Sequence, residues 1–184
     1  MLTFYADHLP PETLLRDGPR IRVRISLPRA AANLRRQPPA PTEGLALIDT
    51  GASYTCIDQS VAAQLQLVPV GHIPVAGATS SGLQPVYVVT WELLGSNIPP
   101  LTDKSVVGAS LANQGLSMLL GRDFLRIAQF TYDGVASTWS IAIPIATLPD
   151  VPTTSSTSSV PISDKERRRR LRKLARKARE KGRK

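Results

Sequence analysis

The stretch Ala46-Leu-Ile-Asp49-Thr-Gly-Ala-Ser53 decides how the rest of the sequence is interpreted. It places an aspartate directly after an apolar run, residues 45–48, that is typical of a buried strand. Gly51 permits close approach of the backbone, and the Thr50 hydroxyl can form a hydrogen bond with backbone groups. The stretch therefore predicts that Asp49 is held in a water-poor site on a tight turn, which Thr50, Gly51, Ala52 and Ser53 support.

The segments around this turn predict a mostly β domain with short helices. Asp58 has the form of a helix N-cap, and the apolar residues behind it are at helical spacing. Residues 28–44 and 95–104 are rich in proline or polar residues and are predicted to be loops. Strands are predicted from alternating or continuous apolar runs over residues 21–27, 45–48, 54–57, 116–120, 128–132 and 138–143, with a hairpin over 70–93 and a short helix over 121–126.

Composition and charge divide the chain into four parts. Residues 1–20 are interpreted as an irregular leader, 21–150 as the domain, 151–162 as a Ser/Thr/Pro-rich linker, and 163–184 as a basic tail that is helical or disordered. Of the 23 Lys and Arg residues, 13 lie in residues 165–184 with only 2 of the 14 acidic residues. The tail segment 165–184 thus carries a charge of +11 and the remainder −2, against +9 for the chain.

That charge makes residues 165–184 the candidate site for nucleic acid or another polyanion. The segment has no aromatic residue, so base stacking is not expected. A solvated tail with no partner is the alternative interpretation.

The remaining composition excludes several classes of protein. No apolar run approaches the ~18 residues that a membrane span needs, and no secretory signal is visible at the N-terminus, so a cytoplasmic protein is expected. Cys56 is the one cysteine, which rules out an intrachain disulfide. The few histidines and the single cysteine predict no metal site, and no phosphate-binding loop is present, so no cofactor is expected.

Two motifs together resemble the retropepsin-like family of retroviral-type aspartic proteases. Asp49-Thr50-Gly51-Ala52 is followed some seventy residues later by Leu119-Leu120-Gly121-Arg122-Asp123. In that family the Asp-Thr-Gly turn carries the catalytic aspartate, and a segment of two apolar residues and a glycine passes behind it. The resemblance covers residues 21–145, in the same order, and assigns that structural position to Leu119, Leu120 and Gly121.

The resemblance implies a closed β-barrel domain that acts as a homodimer on an extended polypeptide. Each copy would supply one Asp49, and the two carboxylates would share one proton and activate a water molecule for peptide hydrolysis. The hairpin tip between the motifs would be the flap over the substrate, here Gly77, Ala78, Thr79, Ser80, Ser81 and Gly82. Tyr132-Asp133-Gly134 lacks the hydroxyl residue of a second active-site turn and fits a hairpin turn better.

Two departures from the family pattern leave questions open. Retroviral members often carry an acidic residue at the position of Ser53, where it pairs with the arginine at the position of Arg122. Ser53 is closer to the cellular and pepsin-like forms of the motif, so the partner of Arg122 is left open, with Asp123 as one candidate. The terminal strands that join some retroviral dimers are also not identifiable in this sequence.

Three other functions compete with an aspartic endopeptidase. A thiol dyad of Cys56 and His72 lacks the sequence context of a nucleophile. Ser53 and Ser110 lack the second glycine of a serine-hydrolase elbow. The main alternative to an aspartic endopeptidase is a retropepsin-like dimer without catalysis, a binding module that the basic tail tethers to nucleic acid.

Overall fold

The structure is a computed structural model that describes residues 1–6, 10–76 and 81–144. The described residues form ten strands and several short helices. The strands are β1 (Leu2–Tyr5), β2 (Arg20–Ser26), β3 (Thr42–Ile48), β4 (Cys56–Asp58), β5 (Gly71–Ala76), β6 (Ser81–Leu93), β7 (Leu101–Ala109), β8 (Met118–Leu120), β9 (Gln129–Asp133) and β10 (Thr138–Ile143). The helices are α1 (Pro11–Asp17), α2 (Arg29–Asn33), α3 (Gln59–Gln64) and α4 (Arg122–Leu125), with a 3-10 turn at Ala112–Gln114.

Six of the strands close into a barrel. They run in the spatial order β2, β3, β8, β4, β7 and β6, and β6 pairs again with β2 to complete the ring. The pairs β3–β8 and β4–β7 are parallel, whereas the other pairs around the ring are antiparallel. β5 extends the sheet beyond β6. The predicted architecture, a mostly β closed barrel with short helices, is confirmed.

Alternating burial explains why these segments line a barrel. In β2, Ile21, Val23 and Ile25 are buried, whereas Arg22 and Arg24 between them are exposed. Because successive side chains of a strand face opposite sides of the sheet, this alternation puts one row in the core and the other in water. The side chains buried to 1% exposure or less include Val23, Ile25, Ile57, Leu65, Val89, Val106, Met118 and Leu120.

A second sheet, in the order β1–β10–β9, corrects the interpretation of the leader. Residues 1–20 are not irregular, because Leu2–Tyr5 pairs antiparallel with β10 and Pro11–Asp17 is a helix. Leu14 on that helix is 2% exposed, so one side of the helix is buried. The predicted β9–β10 hairpin is present, and Trp139, Ile141 and Ile143 lie on its buried face.

Two predicted loops also contain regular structure. Residues 28–44 include the five-residue helix α2, none of whose residues is buried, and the first residues of β3. Residues 95–104 were wrongly assigned as loop throughout, because β7 begins at Leu101 and pairs with β6. Within the described ranges, no helix has the length and hydropathy that crossing a bilayer would require. The linker at 151–162 and the tail at 163–184 lie outside the described residues.

Asp58 connects two elements that are far apart in sequence. It caps α3 as predicted, with its Oδ1 accepting from the Ser60 N–H at 2.9 Å and from the Ser60 hydroxyl. Its Oδ2 accepts from the N–H groups of Leu111 (2.7 Å) and Ala112 (2.9 Å), where the 3-10 turn begins. Burial raises the pKa of Asp58, but these hydrogen bonds outweigh burial and hold its pKa below the ordinary aspartate value.

We expect Asp58→Asn to destabilise the protein by about 2 kcal/mol at pH 7, because buried N–H donors lose an ionised acceptor. A depressed folded-state pKa contributes stability above the ordinary value of about 3.9, and this contribution is lost as the pH falls through the folded-state pKa. The stability difference between wild type and variant should therefore shrink below about pH 4. Urea unfolding of wild type and Asp58→Asn at several pH values and one protein concentration measures this difference in the free energy of unfolding. Asp103→Asn, which makes the same change at an exposed aspartate, is the control. A difference that stays constant with pH would contradict the role assigned to the charge.

Candidate active site

The turn that carries Asp49 is held between two strands from distant parts of the chain. β8 lies between β3 and β4, with Leu120 opposite Ile48 and Leu119 opposite Cys56. The Asp49 N–H donates to the Leu120 carbonyl at 3.0 Å. The structure thus places Leu119 and Leu120 beside the turn, behind the loop that joins β3 to β4.

The Asp49 carboxylate is oriented by the backbone of its own turn. Its Oδ1 accepts from the N–H groups of Gly51 (2.8 Å) and Ala52 (3.2 Å). A Cβ on Gly51 would lie 3.1 Å from that oxygen, which is tighter than most contacts, so glycine suits this position. Asp49 is half-buried, and no described residue donates a hydrogen bond to its Oδ2. One oxygen is therefore fixed, and the other can take part in chemistry.

The Arg122 side chain forms hydrogen bonds with the Asp49 turn, and these bonds identify the partners that the sequence left open. Its Nη1 donates to the carbonyl oxygens of Thr50 (2.9 Å) and Gly51 (3.0 Å), and its Nη2 donates to the Ser53 hydroxyl at 2.6 Å. Within the described residues it forms no ion pair. The serine and two backbone carbonyls therefore take the place of an acidic partner.

Asp123 and Thr55 form a second support that sequence reasoning missed. Asp123 Oδ1 accepts from the Thr55 N–H, the Thr55 hydroxyl and the Phe124 N–H, each at 2.8 Å. The Thr55 hydroxyl accepts in turn from the Gly121 N–H at 3.3 Å. Thr55 is 1% exposed, so these bonds satisfy polar groups in the interior. A hydroxyl residue after the turn and an acid after Gly-Arg were visible in the sequence, but their pairing across 68 residues was not.

Gly121 allows β8 to approach the turn closely. A Cβ at this position would lie 2.5 Å from the Tyr54 carbonyl carbon and 2.6 Å from its oxygen, so no larger residue fits without backbone movement. The Arg122 N–H donates to the Ala52 carbonyl at 2.9 Å just beyond this contact. The glycine thus lets α4 begin directly against the Asp49 turn.

Cys56 lies near the site but has the properties of an unreactive thiol. It is half-buried, and its Sγ donates to the Tyr54 carbonyl at 3.4 Å. Burial first, and then the carboxylates of Asp123 and Asp49, raise the pKa of Cys56 to about 11. The thiolate that a nucleophile requires is therefore scarce at neutral pH. No cluster of three or more His, Cys, Asp or Glu side chains suited to a metal occurs in the part of the chain that the structure describes.

The predicted flap falls largely outside the described residues. β5 and β6 pair antiparallel up to Ala76 opposite Ser81, with Gly82 opposite Val75. Gly77, Ala78, Thr79 and Ser80, which would form the tip, lie outside the described residues. The two arms of a hairpin are thus present, and the flap role stays a prediction.

Residues 42–127, just under half of the chain, match the family model of the gag-polyprotein putative aspartyl protease. No curated protein sequence matches the chain. The chain is similar to the solution structure of simian foamy virus (mac) protease, with 16% identity and a TM-score of 0.38 over 59% of this chain and 92% of that one. It is also similar to the crystal structure of a retropepsin-like aspartic protease from Rickettsia conorii, with 14% identity and a TM-score of 0.43 over 76% and 89% of the two chains.

The family match covers the Asp49 turn, β8 and α4, which are the elements that form the candidate site. It begins at the first residue of β3 and ends two residues after α4. The similarity to this family model therefore covers the part of the closed barrel that contains the candidate site.

Proposed function

We propose that the protein is an aspartic endopeptidase in which Asp49 residues from two copies of the chain activate one water molecule. The observation that supports this most directly is the Asp49 carboxylate itself, with one oxygen fixed by two turn amides and the other without a described partner. Arg122, Thr55 and Asp123 surround this turn with hydrogen bonds that hold it in one position. Such rigid placement is what a catalytic group needs.

In the proposed reaction the two Asp49 carboxylates lie close together and share one proton, because two adjacent charges cannot both ionise comfortably. The ionised carboxylate takes a proton from water, which then attacks the scissile carbonyl. The protonated carboxylate donates its proton to the carbonyl oxygen, giving a neutral tetrahedral diol. The carboxyl group that took a proton from water then gives it to the amide nitrogen, and the other carboxylate takes a hydroxyl proton from the diol. The C–N bond breaks, and an amine and a carboxylic acid are released without a covalent enzyme intermediate.

The second carboxylate is assigned to another copy because the described chain offers one such turn. Asp133 is the nearest internal candidate, and its Oδ1 accepts from the N–H groups of Val135 (3.0 Å) and Ala136 (2.8 Å). These bonds cap the β9–β10 hairpin turn. The Asp133 carboxylate is therefore used within its own hairpin turn. A second catalytic carboxylate is then expected from another copy of the chain, which favours a homodimer.

The outer edge of β9 is the surface that we assign to the dimer interface. β9 lies at one side of the β1–β10–β9 sheet, and no described strand pairs with its other edge. Only residues 126–128 separate it from α4, which packs against the Asp49 turn. Because the two-fold axis must pass close to Asp49, an unpaired edge that begins next to α4 is well placed to pair with its own copy.

The backbone N–H of Tyr132 is directed away from β10, toward the outer edge of β9. The Ala6 N–H donates to the Trp139 carbonyl, so the polar backbone groups of Trp139 face β1. Tyr132 lies opposite Trp139, and their pair is therefore of the non-hydrogen-bonded kind, which leaves the Tyr132 N–H directed away from β10. The same alternation directs the Tyr5 N–H away from β10 at the other edge of the sheet.

We expect Tyr132→Pro to weaken dimerisation about a hundredfold, because proline removes an N–H from the proposed intersubunit ladder and fits poorly beside another strand. Tyr5→Pro is the matched control, since it makes the same change at the opposite edge of the same sheet. Sedimentation velocity over a concentration series measures the dissociation constant of each variant. Equal weakening by both substitutions, or weakening by Tyr5→Pro alone, would reject the β9 interface.

The proposed function is tested by digesting a peptide library across pH with the oligomeric state recorded in the same buffer. We expect cleavage within extended peptides, strongest at mildly acid pH where the coupled pair holds one proton, and only at concentrations where the dimer forms. Cleavage that persists in a chelating buffer would agree with a mechanism that uses the two carboxylates alone. Absence of hydrolysis by a verified dimer at every pH would favour a binding module without catalysis.

Residues 165–184 support a proposed second role in binding a polyanion such as nucleic acid. We expect a chain truncated after residue 159 to lose salt-sensitive retention on single-stranded RNA while it keeps peptide hydrolysis. Electrophoretic mobility shift at several salt concentrations, together with the peptide digest, separates the two activities. Unchanged RNA binding by the truncated chain would assign the interaction to the domain instead of the tail.

A further inference from the structure

The connection between α2 and β3 contains a short proline-rich stretch, Arg35-Arg-Gln-Pro-Pro-Ala-Pro41, which we call the PxxP segment. Two of its prolines, Pro38 and Pro41, are three residues apart, and two arginines precede them. Proline fixes its own φ at about −65° and restricts the residue before it to extended conformations. Because residues 37, 38 and 40 each precede a proline, the whole stretch 37–41 is restricted to polyproline II or β conformation.

The backbone of this segment takes no part in the helices or the sheets. The α2 helix ends at Asn33 and β3 begins at Thr42, and no helix or strand includes the residues between them. No hydrogen bond joins the backbone of residues 36–40 to any described residue. A polyproline II segment has no internal hydrogen bonds and a solvated backbone, so the conformation that the prolines favour agrees with the bonding of the segment.

One edge of the PxxP segment is exposed. Pro38, Ala40 and Pro41 are exposed, whereas Pro39 is half-buried. Since polyproline II has three residues per turn, Pro38 and Pro41 lie on the same edge and Pro39 lies on another. The two prolines that are three residues apart are therefore presented together to solvent.

The domain holds both ends of the segment. The Arg35 guanidinium donates to Gln66 Oε1 at 3.2 Å and to the Gln66 carbonyl oxygen at 2.8 Å, just after α3. At the other end, Thr42 begins β3 and lies opposite Ile25 of β2. A segment that is already held in its bound conformation loses less conformational entropy on binding. The PxxP segment is therefore preorganised for a partner.

The segment also carries a positive charge that is available to a partner. Arg36 is exposed and makes no hydrogen bond or ion pair with any described residue. No acidic residue occurs between Asp17 and Glu43 in the sequence, and Glu43 already binds Arg22 and Arg24. A partner that brings a carboxylate to Arg36 would gain a charge-assisted hydrogen bond.

We propose that the PxxP segment binds a partner protein through a groove that is lined by aromatic side chains and has an acidic rim, as in SH3 domains. Pro38 and Pro41 dock between the aromatic rings of the groove, and Arg36 pairs with a carboxylate at its rim. Aromatic grooves of this kind recognise extended Pro-x-x-Pro segments because the polyproline II conformation costs little entropy to bind.

The position of the segment leaves the candidate active site open to substrate. The PxxP segment precedes β3, and the Asp49 turn follows it, so the two lie at opposite ends of this strand. At a rise of about 3.3 Å per residue, the strand separates them by about 20 Å. The bound partner would therefore recruit the protein without covering Asp49, whether or not Asp49 hydrolyses peptides.

Titration of a ¹⁵N-labelled SH3 domain with the unlabelled full chain tests the proposal. The probe is a purified SH3 domain that has several carboxylates at the rim of its groove. We expect saturable shifts of the backbone and indole N–H signals that line the groove, with a Kd on the order of 100 μM, because the contact is small. Signals on the opposite side of the SH3 domain should not move.

Variants of the full chain locate the contact. Pro38→Ala and Pro41→Ala should each weaken binding about tenfold, because each removes one of the two docked rings. Pro100→Ala is the matched control, since it makes the same change at an exposed proline in another loop. Arg36→Met should weaken binding about fivefold, whereas Arg29→Met, at an exposed arginine of α2, should leave the affinity unchanged.

Three outcomes would overturn the proposal. They are the absence of any saturable shift up to about 1 mM chain, shifts that lie outside the aromatic groove, and equal affinity of Pro38→Ala, Pro41→Ala and Pro100→Ala. The last result would assign binding to charges that all the variants share, such as those of residues 165–184. Thermal unfolding of each variant, which should match wild type because the replaced side chains are exposed, confirms that only the contact has changed.

Discussion

Replacing Asp49 by asparagine is expected to abolish peptide-bond hydrolysis and leave the fold intact. The asparagine carbonyl oxygen can still accept from the Gly51 and Ala52 N–H groups, so the turn keeps its hydrogen bonds. The variant cannot take a proton from water, because its side chain no longer ionises. Loss of the proposed acid and base together should lower kcat/KM by at least about 10³-fold.

The control for this variant is Asp103→Asn, which makes the same chemical change at an exposed residue outside the site. Its hydrolysis and thermal unfolding should match wild type. Mixing equal amounts of Asp49→Asn and wild type under exchange should give about one quarter of the activity of wild type alone at the same total protein concentration, because one quarter of the dimers are then intact wild-type homodimers. Full activity of Asp49→Asn, or activity in the mixture proportional to the wild-type chains, would contradict a paired carboxylate mechanism.

Gly121→Ala is expected to have the largest effect on stability. The added methyl carbon would lie 2.5 Å from the Tyr54 carbonyl carbon and 2.9 Å from the Thr55 nitrogen, and both are backbone atoms that cannot rotate away. β8 or the turn must therefore move, which breaks the short network from Gly121 through Thr55 to Asp123. We expect a loss of about 3 kcal/mol in the free energy of unfolding.

Gly71→Ala is the matched control, because a Cβ at Gly71 meets no atom within 4 Å. Urea unfolding of both variants at one protein concentration separates the steric effect from the general effect of a glycine substitution. Equal stability of Gly121→Ala and wild type would show that the close approach of β8 to the turn is wrong. Loss of peptide hydrolysis by Gly121→Ala at temperatures where it stays folded would link this contact to the geometry of Asp49.

Several elements could be predicted because their cause lies within a few residues. The alternation of Ile21, Val23 and Ile25 with arginines specifies a half-buried strand wherever it is placed. Asp58 begins a helix because its side chain reaches an N–H two residues later. The Asp133-Gly134 turn likewise joins β9 and β10 through local hydrogen bonds.

Other elements could not be predicted because a distant partner stabilises them. Leu2–Tyr5 is too short to be a strand by itself and becomes one by pairing with β10, near the other end of the described chain. After Leu101, the first half of β7 consists of four consecutive polar residues, 102–105, and it follows two prolines, so its pairing with β6 decides its conformation. Local propensity is a weak signal in such segments, and the sheet contacts outweigh it.

The sequence by itself determined the Asp-Thr-Gly turn, its position after an apolar strand and the basic character of residues 165–184, because these depend on residue type and short spacing. Only the tertiary structure decided what surrounds the turn. Arg122 binds backbone carbonyls and Ser53 in place of an acid, and Asp123 binds Thr55, because β8 lies between β3 and β4 and brings these groups within 3 Å. Contacts between residues about 70 positions apart follow from how the strands are ordered, and no local pattern encodes that order.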